Sequence, residues 1–105
     1  MGLFKRKIEV DYTKIFMIVK RSTKLTDNLY VLHGEVADSV AVGEKIVINN
    51  TADMNRKAKG RIVGIHREGS ELDETKVDCG TAVELMVWVE HYKGVIAENA
   101  ILCKD

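Results

Sequence analysis

Four cations fall within six residues, Arg56, Lys57, Lys59 and Arg61, and no acidic residue lies among them. Clustered Lys and Arg side chains can neutralise the phosphates of a nucleic-acid backbone, and small β-barrels use such surfaces for RNA. The same charges also suit a solvated loop. No aromatic residue is interleaved among them for base stacking, which favours the solvated loop over RNA. The second candidate is Trp88 with Met86, both on the face of a predicted strand opposite its aliphatic row. An exposed indole there is a typical anchor for a partner, whereas a loop folded over it would make a small secondary cluster. Glu84 and Glu90 share that face and favour a protein partner over a phosphate-bearing one.

The remaining reactive side chains do not converge. His33, His66 and His91 are scattered, without the spacing of metal ligands, and the neighbours Glu90 and His91 point to opposite faces of a strand. Cys79 and Cys103 match no CxxC pattern and read as small buried or half-buried side chains in a reducing compartment. The hydroxyls of Ser22, Thr23, Ser39, Ser70 and Thr81 sit in turn-like settings. There is no GxSxG elbow to expose a nucleophile and no GxxxxGK[ST] loop to cradle phosphates, so nucleotide hydrolysis is excluded for this chain. No catalytic residue, metal or cofactor is expected. The acidic residues Glu68, Glu71, Asp73, Glu74 and Asp78 follow directly after the basic group, as a solvated loop or as the other pole of a charge dipole.

Short strands must position these residues. β-branched and aromatic runs predict strands over 15–19, 29–32, 45–48, 59–66 and 101–102. The clearest is 82–90, where Val83, Leu85, Val87 and Val89 alternate with Glu84, Met86, Trp88 and Glu90. Asp27-Asn28 and Asn49-Asn50 are turn signals, 51–58 reads as a polar loop, and 68–76 admits no more than a short helical turn. Gly34 and Gly43 free the backbone to bend around a corner at Asp38-Ser39. This spacing of strands argues for an all-β barrel or sandwich.

Composition sets the outer bounds. The chain has 105 residues, 46% hydrophobic and 30% charged, with a formal net charge of zero. That describes one ordinary globular domain, with no global field drawing it to nucleic acid or membrane. No apolar run is long enough to span a bilayer as a helix. Residues 1–14 form a basic N-terminal segment without the apolar core of a signal peptide, and 15–105 form the barrel domain; a cytoplasmic location follows as the expectation.

Four elements in order resemble the second, β-barrel domain of translational GTPases such as elongation factor Tu. They are Gly34, Val36 and the step Val40-Ala41-Val42-Gly43-Glu44; then residues 60–66; then Cys79-Gly80-Thr81-Ala82-Val83-Glu84-Leu85; and finally 95–102. The chain departs from that pattern in a shorter turn after Val36, Ser39 in place of Gly, Glu98 in place of a basic residue, and Asn99 in place of the closing Gly. Asn tolerates the left-handed backbone that the closing position needs. The resemblance implies a small closed or nearly closed antiparallel β-barrel of the translation-protein second-domain type, standing without its GTPase module. It implies a non-catalytic binding module that docks on a protein or ribonucleoprotein. The alternative is a protein–protein adaptor or homo-oligomer centred on Trp88, unrelated to translation.

Overall fold

The computed structural model describes residues 12–50, 57–92 and 94–105. A 3-10 turn at Tyr12–Lys14 leads into nine strands: β1 (Ile15–Ile18), β2 (Arg21–Lys24), β3 (Leu29–Glu35), β4 (Val40–Ala41), β5 (Lys45–Asn49), β6 (Lys57–Arg67), β7 (Lys76–Val77), β8 (Ala82–Glu90) and β9 (Ile101–Lys104). Seven of them form one antiparallel sheet in the order β1-β9-β5-β6-β8-β3-β2, and β4 and β7 make a separate ribbon. The sheet is curled into a half-barrel. There is no α-helix among the described residues, and no helix there is long and apolar enough to cross a membrane.

Alternation sets the inner face. Register pairs Tyr30 with Val87 and Val87 with Ile62, and all three are buried. The next layer pairs Leu32 with Leu85 and Leu85 with Ile65, again all buried. Each fully buried side chain of this size contributes about 1.5–3 kcal/mol relative to exposure. Two bulges interrupt the alternation, one between Ile15 and Met17 and one between Ile62 and Gly64. The first leaves the consecutive residues Phe16 and Met17 both buried. The second shifts the phase after Val63, so that Ile65 and not Gly64 is the next buried residue.

The corner predicted around Gly34 is a close approach. Gly34 lies within β3, and a Cβ there would stand 2.6 Å from the Ile18 carbonyl oxygen and 2.9 Å from Met17 Cγ. Gly43 adopts φ +99°, a turn conformation that only glycine takes without strain. At Asp38-Ser39 the Asp38 carboxylate accepts from the Ser39 amide at 2.8 Å, and Lys104 donates to the Ser39 carbonyl. Lys104 also reaches Glu44 at 3.5 Å and Asp38 at 3.8 Å, tying the last strand to this corner.

Three strands lie outside the sequence expectation. β2 reads Arg-Ser-Thr-Lys and is mostly exposed, so it carries no apolar alternation. β4 and β7 are two residues each. The short helical turn admitted for 68–76 is not formed: Glu68-Gly69 is a turn, the Glu74 amide returns to the Ile65 carbonyl at 2.9 Å, and Lys76 enters β7.

Candidate functional site

The described cations of the basic group, Lys57, Lys59 and Arg61, all lie on β6, which begins two residues before the predicted strand start at Lys59. Ala58, Gly60 and Ile62 are buried, so the pleat turns Lys57, Lys59 and Arg61 outward in one row along β6. Arg56 lies outside the described residues, as do 51–55 of the predicted polar loop, whereas Lys57 and Ala58 belong to β6. Outward side chains on one strand recur about every 6.6 Å, which spaces these cations evenly along the face.

Register joins this row to the other candidate. Arg61 is the partner of Trp88 on β8 and of Lys45 on β5, and Lys59 is the partner of Glu90. The expectation that no aromatic stands among the cations holds along the chain but fails across the sheet. Trp88 is 47% exposed, so no loop among the described residues buries it, and Met86 beside it is half-buried. Together Lys45, Lys59, Arg61, Val63 and Trp88, with the acids Glu90 and Asp105, line an open groove of about 280 Å³.

The local sequence explains how the groove is held. A Cβ on Gly60 would sit 2.8 Å from the Trp88 carbonyl oxygen and 2.9 Å from Val87 Cγ1. Glycine at that inward position therefore lets β6 lie close against β8 and keeps Arg61 beside the indole. Val63 follows Arg61 in the same outward row, lines the groove and is 45% exposed. Lys45, Lys59 and Arg61 make no ion pair among the described residues. Of the acids expected to repel phosphate, Glu84 is turned toward His33 at 3.8 Å, and Glu90 stands opposite Lys59.

Two histidines that look scattered in sequence share one cross-strand row. Glu84 is the register partner of His33 on β3 and of His66 on β6. An Arg21 guanidinium nitrogen lies 3.3 Å from His33 Nδ1, and His66 Nε2 is 2.7 Å from the Asp73 carboxylate. No group of three or more His, Cys, Asp or Glu able to hold a metal occurs among the described residues. His91 ends β8 in a turn with φ 53°. Cys79 is exposed, Cys103 is buried, and no disulfide joins them.

A polar network that sequence reasoning missed holds Tyr92, Gly94, Val95 and Ala97. Asn50, only 2% exposed, donates through Nδ2 to the Tyr92 hydroxyl at 2.5 Å and to the Val95 carbonyl at 2.7 Å. Its Oδ1 accepts from the Ala97 amide at 3.0 Å. The Tyr30 hydroxyl donates to the Gly94 carbonyl at 2.5 Å. Burial raises the Tyr30 phenol above its usual pKa, and Tyr92 and Asp27 add to the shift. The only sequence signal was the dipeptide Asn49-Asn50, which reads as a turn. Asn99 adopts φ 72°, the left-handed conformation expected at that closing position.

No protein-family model matches the chain, and no curated protein is similar to it in sequence.

Proposed function

We propose that the chain is a non-catalytic, cytoplasmic binding module of the translation-factor second-domain type, and that it docks on a ribonucleoprotein through the outer face of β5, β6 and β8. The observation that carries this reading is the pairing of Arg61 with Trp88, flanked by Lys45 and Lys59. Unpaired nucleotides are held by aromatic faces for the bases and cations for the phosphates, and this face offers both. What supports closure of the half-barrel is that its edge strands, β1 and β2, are separated by only Val19 and Lys20. Across that gap the Lys20 amide donates to the His33 carbonyl at 2.7 Å, the Ala37 amide to the Phe16 carbonyl at 2.6 Å, and Met17 bridges to Val36.

The test is affinity capture from a native lysate with wild-type chain and Trp88→Ala, each with and without nuclease. The reading expects an RNA-containing partner that wild type retains and that is lost both with nuclease and with Trp88→Ala. Capture that ignores nuclease but still needs Trp88 supports the adaptor reading, for which the exposed Val63 beside Trp88 is the favouring observation. Capture indifferent to Trp88 removes this face from consideration.

A further inference from the structure

Among the described residues the most exposed large hydrophobic side chain is Leu72, at 73%. It stands in the turn after β6 with Glu71 before it and Asp73 after it, and Glu68 opens the same turn. An apolar tip flanked by carboxylates is the complement of the β5–β6–β8 groove, where Trp88 and Val63 are flanked by Lys45, Lys59 and Arg61. The groove's three cations outnumber its two acids, Glu90 and Asp105, so it keeps an excess of positive charge, opposite in sign to that of the loop tip.

The two features do not meet within one molecule. The groove belongs to the first half of β6, and the loop begins after its last residue, Arg67. From Arg61 to Arg67 the strand extends roughly 20 Å at about 3.3 Å per residue. The loop is also tethered at that end, with Glu74 bonded to Ile65 and Asp73 to His66. Leu72 and Trp88 accordingly both face solvent.

We infer that the groove takes the Glu71-Leu72-Asp73 loop of a second copy of this chain. Leu72 lies against Trp88 and Val63, and the loop carboxylates face Lys45, Lys59 and Arg61 of the other copy. The contact joins two different surfaces, so it closes when two copies exchange it reciprocally and otherwise repeats head to tail. The inference rests on the reading of this groove as the contact face, and it adds a regulation: the acidic loop and an RNA strand compete for the same cations.

Sedimentation of the full chain at low salt, over a range of concentrations, tests it with charge reversals on exposed positions. Wild type should associate as concentration rises and dissociate as salt is added. Lys59→Glu with Arg61→Glu should be monomeric, because both loop and groove are then acidic. Glu68→Lys with Glu71→Lys should be monomeric for the opposite reason. Mixed in equal amounts, the two variants should associate again, since each supplies the complement of the other. Leu72→Ser, at a position where folding is not at stake, should weaken association about tenfold or more. A wild type that stays monomeric at low salt, a mixture that does not associate, or a groove variant that still self-associates overturns the inference. Monomeric wild type whose Trp88 emission still responds to single-stranded RNA leaves the contact face standing and removes only the second copy. Loss of both responses removes the face itself.

Discussion

Arg61 on β6 and Trp88 on β8 are register partners on the outer face of the sheet, and Gly60 lets the two strands lie close enough to hold them side by side. The pair has no structural duty in the core, because both side chains are exposed. Arg61→Ala should therefore change stability by no more than about 0.5 kcal/mol. It should alter the emission of Trp88, the only tryptophan in the chain. Thermal melting and the fluorescence spectrum check the two halves of this expectation.

Gly34 should tolerate no side chain. The nearest obstacle to a Cβ is the Ile18 carbonyl oxygen at 2.6 Å, a backbone atom that cannot swing aside. Gly34→Ala should cost about 1–3 kcal/mol, toward the upper end, measured by denaturant unfolding. Gly69→Ala offers a contrasting case: nothing lies within 4 Å of its Cβ, and the cost comes from its φ of +80° alone.

Asn50 should be the most sensitive polar residue. Asn50→Ala leaves the Ala97 amide without its acceptor and removes the donor to Val95, at an expected cost of about 1–3 kcal/mol. Hydrogen exchange should show lost protection at Ala97, whereas protection across the β6–β8 ladder should fall only with global stability.

Tyr30 should make the fold sensitive to alkali. Its folded-state pKa is raised above the usual 10.0 by burial first, then by Tyr92 and Asp27. The folded state therefore holds this proton more tightly than the unfolded chain. The stability that the neutral phenol confers is fully present below pH 10.0 and is lost as pH rises through the folded value. Tyr30→Phe should cost about 1 kcal/mol at neutral pH through the lost bond to Gly94 and should flatten the alkaline decline. Denaturant midpoints measured across the alkaline range check both effects.

Much of this fold was legible because period-two alternation is a local signal. β8 was read at its observed bounds, since every second residue from Val83 to Val89 is apolar and buried. β2 was not legible: an exposed edge strand of Arg, Ser, Thr and Lys has no apolar face to announce it. Along β6, Ala58 and Gly60 hid the alternation, because their small side chains do not look like core residues. The predicted strand accordingly begins at Lys59, two residues late, and leaves Lys57 in the loop. The pairing of Arg61 with Trp88, and of His33 and His66 with Glu84, depends on register between distant strands, which composition and spacing do not encode.

Fluorescence titration of Trp88 with a short single-stranded RNA across a series of salt concentrations tests the central claim most directly. Binding through Lys45, Lys59 and Arg61 should quench the emission. The logarithm of affinity should fall with that of salt at a slope of about −2, on the order of −0.7 per phosphate neutralised. Replacing Lys59 and Arg61 by Ala should reduce that slope to about −0.7. Emission that RNA leaves unchanged, or quenching with a salt slope that the double replacement does not alter, would contradict docking through this face.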